Sequence, residues 1–134
     1  MTKTNIACII DDDPISVLIT KKIMQRSNFC NSLLVYSDGE KAISGLTDII
    51  ASGIGIPEVI LLDLNMPVMN GWEFLEKFAD ILNEKKITIF IVTSSINPSD
   101  LKKAKNYQTV SNYIVKPITD KALIQMSKKI TPEQ

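Results

Sequence analysis

The sequence predicts an α/β fold in which helices cover both faces of a parallel sheet. Helix and strand patterns alternate along the whole chain of 134 residues, without an internal repeat or a low-complexity linker. Two segments, Val59 to Leu62 and Ile87 to Val92, are almost entirely apolar, which indicates strands that are buried on both faces. Right-handed crossover connections between such strands then favour a doubly wound sheet.

The N-terminal segment predicts one strand followed by one helix. The strand runs from about Asn5 to Ile10, and the dipeptide Asp13-Pro14 then provides an N-cap and a proline at the first helical position. Apolar residues recur at helical spacing after the proline, and we expect them to form the buried face of the helix. These residues are Ile15, Leu18, Ile19 and Ile23.

A second strand and a second helix follow the first pair. The strand is predicted from about Leu33 to Tyr36. Ser37 and Glu40 then form a capping-box pattern, which predicts that Ser37 caps the helix. The apolar face of this helix consists of Ala42, Ile43, Leu46, Ile49 and Ile50.

Three more strands, each followed by a helix, complete the predicted order. The third and fourth strands are the two apolar segments, a short lysine-bearing helix begins at Asn97-Pro98, and the fifth strand covers Tyr113 to Val115. Thr119 is the predicted cap of the last helix. The five strands and five helices suit the flavodoxin-like strand order 2-1-3-4-5, in which ligands bind beyond the carboxyl ends of strands 1 and 3.

Four of the hydrophobic runs end abruptly at polar residues. Asp11 and Asp12 follow the first strand, Asp63 the third, Thr93 the fourth and Lys116 the fifth. Because the carboxyl ends of parallel strands lie at one edge of a sheet, we expect these side chains to meet there. Three carboxylates, one hydroxyl and one ammonium group suit a divalent metal ion and a phosphoryl group.

The chemistry of these groups favours phosphoryl transfer to a carboxylate. Clustered carboxylates repel one another and need a compensating cation, which Lys116 and a bound Mg2+ would supply. A carboxylate can attack phosphorus to form an aspartyl phosphate, and Asp63 is the candidate nucleophile. The chain contains no histidine, so the commonest general base and the commonest transition-metal ligand are both missing.

At these residues the chain resembles the receiver domain of bacterial two-component response regulators, of the chemotaxis-regulator type. That family has paired acids after strand 1, a phosphoacceptor Asp after strand 3, Thr or Ser after strand 4 and Lys-Pro after strand 5. The segment from Leu61 to Gly71 is especially specific, because a Met-Pro and a Gly after the acceptor Asp are a family signature. The resemblance weakens only at Tyr107 to Asn112, where many receivers carry Gly-Ala.

The resemblance implies a metal site and a phosphoacceptor. Asp11, Asp12, Asp63 and the backbone carbonyl of Asn65 would bind Mg2+, and Asp63 would carry the phosphoryl group. On this interpretation the protein is not an enzyme acting on outside substrates, because its chemistry is limited to the phosphorylation and dephosphorylation of Asp63.

The resemblance also implies how the phosphoryl group is held and how it is sensed. Thr93 would hydrogen-bond the phosphoryl group and Lys116 would neutralise its charge. Tyr113 matches the switch aromatic of the family, which turns into the space that Thr93 vacates and changes the face made by helix 4, strand 5 and helix 5. A static, half-buried strand tyrosine is an equally good explanation of Tyr113.

Partners follow from the same resemblance. The expected phosphodonor is a sensor histidine kinase or a histidine phosphotransfer protein, and the expected target is an unknown downstream protein. Lysines on helices 4 and 5 are candidates for a basic output face that binds an acidic partner or forms a homodimer, although a solvated helix surface is the ordinary explanation. They are Lys102, Lys103, Lys105, Lys121, Lys128 and Lys129.

Three other functions are possible for a chain with these residues. A haloacid-dehalogenase-type phosphohydrolase with Mg2+ needs a second acid two residues after its nucleophile, where this chain has Asn65. A flavodoxin-like cofactor carrier needs a phosphate-binding loop after strand 1, and Asp11 to Asp13 would repel a phosphate. A receiver-like module that docks without phosphorylation stays open as the alternative.

The composition and length of the chain limit its expected partners, its location and its number of domains. Its 15 basic and 15 acidic residues give a net charge of zero, so direct binding to nucleic acid or to an anionic membrane is not expected. The sequence shows neither an apolar run of about 20 residues nor a signal-peptide pattern, and we expect a cytoplasmic protein. We expect residues 1–134 to form a single, stand-alone receiver domain without an output domain.

Overall fold

Five parallel strands alternate with five helices in the computed structural model, which describes residues 4–82, 86–94, 97–106 and 110–130. The strand order β2-β1-β3-β4-β5 confirms the predicted doubly wound sheet. The strands are β1 (Thr4–Ile10), β2 (Cys30–Tyr36), β3 (Val59–Asp63), β4 (Thr88–Thr93) and β5 (Val110–Val115). The helices are α1 (Pro14–Ser27), α2 (Gly39–Ser52), α3 (Gly71–Leu82), α4 (Pro98–Ala104) and α5 (Asp120–Lys129).

Each face of the sheet packs against its own hydrophobic cluster. One cluster contains Leu46 of α2 with Phe74 and Phe78 of α3, and the other contains Met24 of α1 and Met126 of α5. All five residues of β3 are buried, as expected for a central strand with helices on both sides. Within the described ranges, no helix is long and apolar enough to cross a membrane.

Side-chain caps begin all five helices, including α3, where the Asn70 side chain accepts the Glu73 N–H at 3.0 Å. Two of the caps, Asp13 and Thr119, were predicted correctly, and α4 begins at Asn97-Pro98 as predicted. Asp13, Asn97 and Thr119 accept hydrogen bonds from backbone N–H groups in the first turns of α1, α4 and α5. The prediction for α2 was wrong, because Asp38 and not Ser37 accepts the N–H of the first turn, at 2.8 Å. Asp38 directly precedes the first helical residue, so its side chain reaches the unpaired N–H groups.

The predicted buried face of α1 was wrong for three of its four residues. Ile15, Leu18 and Ile19 are 68%, 52% and 41% exposed, whereas Thr20 and Met24 are the buried residues of this helix. Apolar residues lie on more than one side of α1, so their spacing alone does not determine which side packs against the sheet. The helix therefore presents an apolar surface to solvent.

Two strands begin earlier than predicted, and two predictions fall partly outside the described ranges. β2 begins at Cys30 and β5 at Val110, because pairing with a neighbouring strand extends them beyond their most apolar residues. Residues 107–109, which belong to the segment that departs from the family pattern, lie outside the described residues, as do residues 131–134 of the predicted single domain.

Candidate functional site

The carboxyl ends of four strands bring the predicted site residues together. Asp11 directly follows β1, Asp63 ends β3, Thr93 ends β4 and Lys116 directly follows β5. The parallel pairing of β1 with β3, of β3 with β4 and of β4 with β5 places these strand ends side by side. β2, at the edge of the sheet, is followed by Ser37 and contributes no group to this cluster.

Three carboxylates form the centre of the site. One oxygen each from Asp11, Asp12 and Asp63 lies within 4.8 Å of the others. Ligand oxygens of an octahedral Mg2+ lie about 2.1 Å from the ion, and therefore about 3 to 4 Å from one another. Asp11 and Asp63 are only 6% and 5% exposed, while Asp12 is exposed, so the cluster opens to solvent on one side. The oxygens thus fit a small, hard cation after a minor adjustment.

Lys116 compensates part of this negative charge. Its Nζ lies 3.0 Å from Asp11 Oδ2 and 3.5 Å from Asp63 Oδ2. Burial alone would lower the pKa of Lys116, but the hydrogen bond to Asp11 and the charges of Asp63 and Asp11 raise it above its ordinary value. Lys116 therefore stays protonated as a bridge between the two buried acids.

Asp63 is the most strongly perturbed acid of the cluster. The pKa of Asp63 is raised to about 6, because burial, together with the nearby charge of Asp11, outweighs the opposite effects of the Asn65 N–H and Lys116. The Asn65 N–H donates to Asp63 Oδ1 at 3.2 Å, which places the Asn65 backbone beside the acids. A bound cation would lower this pKa, because it favours the charged carboxylate.

Thr93 ends β4, the neighbour of β3, and Tyr113 lies in β5, the next strand of the sheet. The Thr93 side chain is buried, and the Asn65 amide donates to its hydroxyl at 3.4 Å. Tyr113 is half-buried in β5 and packs against the cluster that contains Phe74. Burial and the charge of Asp100 raise the pKa of Tyr113, whereas hydrogen bonds with the Asn97 backbone and the Thr93 side chain lower it.

Gly71 explains part of the sequence signature after Asp63. Its N–H donates to the Leu64 carbonyl at 3.0 Å. A Cβ at this position would lie 2.8 Å from the Asp63 carbonyl oxygen and 2.9 Å from the Leu64 Cα. Because backbone atoms cannot move aside cheaply, only glycine lets α3 start this close to the end of β3.

Sequence reasoning missed the apolar surface beside the acids. Ile15 and Ile19 line a cavity of about 250 Å³ together with Lys116 and Pro117. Leu18 is exposed on the same helix. The residues were recognised as apolar, but they were assigned to the core, and the sequence contains no signal that would have placed them on the surface.

This arrangement of a buried acid, two neighbouring acids, a hydroxyl and a lysine at the carboxyl edge of a parallel sheet suits a protein that accepts a phosphoryl group. Residues 7–128 match the family model of the response regulator receiver domain. The chain therefore belongs to the response regulator receiver family.

Similar proteins support this assignment. The chain is 28% identical over 124 residues to two-component response regulator 24 of Arabidopsis thaliana, covering 92% of this chain and 82% of that protein. A two-component response regulator from Cytophaga hutchinsonii superposes with a TM-score of 0.89 at 30% identity, covering 96% of this chain and 98% of that one. A response regulator receiver protein from Dyadobacter fermentans gives a TM-score of 0.79 at 26% identity, covering 96% and 98%.

Membership of the family defines the general role of the chain. Receiver domains are signalling modules and not enzymes in the ordinary sense. They take phosphoryl groups from histidine kinases or from phosphotransfer proteins, and they bind Mg2+ at an acidic pocket.

Proposed function

We propose that this chain is the phosphoacceptor of a two-component phosphorelay and that Asp63 receives the phosphoryl group. The observation that carries the proposal is the position of Asp63, which is buried beside Asp11, Lys116 and Thr93 at the carboxyl edge of the sheet. We also propose that residues 1–134 act as a single receiver domain, since one sheet and two flanking clusters account for the described core.

The transfer is a displacement at phosphorus. A carboxylate oxygen of Asp63 forms a bond to phosphorus while the bond from phosphorus to the donor nitrogen breaks, and the donor imidazole leaves and takes up a proton. The Lys116 ammonium, 3.5 Å from Asp63 Oδ2, would then form an ion pair with the new phosphoryl oxygens. The Thr93 hydroxyl would donate a hydrogen bond to one of them.

Asp11, Asp12, Asp63 and the Asn65 carbonyl are the residues that would hold Mg2+. When bound, the metal ion would neutralise charge on the transferred phosphoryl group. Asp11 also contributes before transfer, because its carboxylate holds the Lys116 ammonium at 3.0 Å and so orients it towards Asp63. Asn65, an amide two residues after Asp63, supplies no carboxylate for the acid–base chemistry of a phosphohydrolase.

The exposed apolar residues of α1 are our proposed docking surface for the donor protein. A donor must bring its phosphohistidine to Asp63, and the cavity lined by Ile15 and Ile19 also contains Lys116, whose Nζ contacts Asp63. Burial of apolar surface provides affinity that depends little on charge. We therefore infer a sensor histidine kinase or histidine phosphotransfer protein with an apolar face, acting in the cytoplasm where ATP supplies such donors.

We propose that the output is a change in binding at the face formed by α4, β5 and α5. This face carries exposed lysines and the partly exposed Leu101 and Ile124. Tyr113 of β5 contacts Thr93 of the acceptor site and so connects the two regions. The occupant would be a downstream protein or a second copy of the chain, and phosphorylation would shift the population towards the binding conformation.

The acceptor role is tested by intact mass after incubation with acetyl phosphate, with and without Mg2+. We expect one phosphoryl adduct that requires both Mg2+ and Asp63, and none in the Asp63→Asn variant. A folded wild-type protein that gains no adduct, and that also fails to bind beryllofluoride in Mg2+, would instead favour a module that docks without phosphorylation.

The docking surface is tested by comparing a protein donor with a small one. Leu18→Ala should slow phosphoryl transfer from a phosphorylated histidine phosphotransfer protein that labels the wild type, and should leave labelling by acetyl phosphate unchanged. Ile54→Ala is the matched control, because Ile54 is 80% exposed but lies in the loop before β3. Equal slowing of both donors by Leu18→Ala would contradict a docking role.

A further inference from the structure

Trp72 connects the start of α3 to α4. Its indole Nε1 donates a hydrogen bond to Asp100 Oδ1 at 3.1 Å. The Nζ of Lys103 lies 5.0 Å from the centre of the same ring, within the range of a cation–π contact. Trp72 is half-buried and packs against the hydrophobic cluster that contains Phe74 and Phe78. This packing restricts the indole ring, which can therefore stabilise the positions of Asp100 and Lys103.

We propose that Trp72, through Asp100 and Lys103, is a latch that holds α4 in the conformation that opposes phosphorylation of Asp63. The proposal rests on the proposed acceptor function and concerns its regulation. Trp72 is a positioning residue in this scheme, because its side chain acts on the site only through α4 and Tyr113.

Asp100 connects the latch to the switch region. The Tyr113 hydroxyl interacts with three groups, namely the Asp100 charge, the Asn97 backbone and the Thr93 side chain. Asn97 and Asp100 belong to the cap and the first turn of α4. The position of α4, which Trp72 stabilises, therefore determines where Tyr113 finds its partners.

Thr93 is the point at which the latch and the phosphoryl group compete. A threonine hydroxyl has a single proton to donate. The Thr93 and Tyr113 side chains share a hydrogen bond, so the Thr93 hydroxyl is engaged with Tyr113 in this conformation. A phosphoryl group on Asp63 would draw the Thr93 hydroxyl away from Tyr113, so any contact that keeps Tyr113 bound to Thr93 opposes the phosphorylated state.

The latch should also make the tryptophan fluorescence of the protein depend on the position of α4. Trp72 is the single tryptophan of the chain. A movement of α4 would change the hydrogen bond of its indole and the position of the Lys103 charge, and both influence tryptophan emission. We expect beryllofluoride with Mg2+ to change the fluorescence of the wild-type protein.

The test compares stability and ligand affinity in the Trp72→Phe variant, which keeps an aromatic ring and removes the N–H donor. We expect a lower midpoint of urea unfolding, measured by circular dichroism, together with about three- to ten-fold tighter binding of beryllofluoride in Mg2+, measured by calorimetry. Lys103→Gln should act in the same direction and more weakly. Lys105→Gln is the matched control, since the exposed Lys105 lies just beyond α4.

The outcomes separate the latch from the acceptor function. A residue that only supports the fold would lower stability without tightening binding, so unchanged or weaker binding by a folded Trp72→Phe protein overturns the latch alone. If the wild type itself fails to bind beryllofluoride and gains no phosphoryl adduct, the acceptor function fails and the latch fails with it. Opposite changes in stability and affinity support the latch.

Discussion

The stability of this protein should fall as the pH rises through the titration range of Asp63. Burial raises the pKa of Asp63 from its ordinary value of 3.8 to about 6. The folded chain therefore binds this proton more tightly than the unfolded chain does. Well below pH 3.8 both states are protonated and Asp63 has no differential effect; stability then falls between about pH 4 and pH 6, where only the folded state retains the proton, and is constant at the lower value once both states are charged.

The size of the effect follows from the displacement of the pKa. One pKa unit corresponds to about 1.4 kcal/mol, so a rise from 3.8 to about 6 corresponds to a destabilisation of about 3 kcal/mol once Asp63 is fully charged. The Asp63→Asn variant lacks this charge but keeps an oxygen that can accept the Asn65 N–H. We therefore expect this variant to be more stable than the wild type at pH 7.5 by about 1 to 3 kcal/mol, and to show roughly a third of that advantage at pH 4.5.

Urea unfolding followed by Trp72 fluorescence, in buffer with EDTA, would measure the effect at several pH values. The chain has no histidine, so no other side chain has its ordinary pKa between 5 and 7.5. Asp12→Asn is the matched control, because Asp12 belongs to the same cluster but is exposed, and its substitution should change stability by about 0.5 kcal/mol or less.

One result would refute this reasoning. If Asp63→Asn and the wild type have the same free energy of unfolding at both pH 4.5 and pH 7.5, burial does not disfavour the charged form of Asp63. The site would then be more solvated than its 5% exposure indicates.

Three further changes test the geometry of the site. Adding Mg2+ at ten times its Kd should stabilise the wild type by about 1.4 kcal/mol in thermal unfolding, and Asp63→Asn by less, because only the folded state assembles the ligands. Gly71→Ala should destabilise by about 1 to 3 kcal/mol and slow labelling by acetyl phosphate, since its Cβ would lie 2.8 Å from the Asp63 carbonyl oxygen; unchanged urea unfolding would show that the loop adapts. Val68→Gly should stabilise by about 0.5 to 1 kcal/mol, because Val68 is a β-branched residue at φ 67° in a γ-turn closed by the Met69 N–H and the Pro67 carbonyl, and glycine adopts positive φ without a steric penalty; a lower melting temperature would contradict the strain.

The burial of β3 and β4 on both faces of the sheet was the feature of the fold that local sequence patterns predicted best. The apolar segments around β3 and β4 contain few polar residues, so only a central position in a parallel sheet satisfies them, and the observed order has both strands inside. Polar residues at the ends of the strands were equally clear, since an acid or a lysine after a buried run must lie at the sheet edge. For this reason Asp11, Asp63 and Lys116 could be placed together before any distance was known.

Local sequence patterns did not predict which side of a helix packs on the sheet when more than one side is apolar. The α1 helix has apolar residues on more than one side, and the side that packs on the sheet depends on how the helix meets β1 and α5. A hydrogen bond of 2.8 Å between Arg26 and Asp120 contributes to that orientation. Because these two residues are far apart in sequence, no window along the chain contains the information.

The sequence by itself determined the alternation of strands and helices, the four strand ends that carry chemistry and the class of reaction that those groups support. These features depend on residue type and on alternation, which are local properties. Only the tertiary structure decided that Ile15 and Leu18 face solvent beside the acids, that burial raises the Asp63 pKa, and that Trp72 holds Asp100. Each of these depends on which distant segments come into contact, and contact between distant segments is set by the packing of the whole domain.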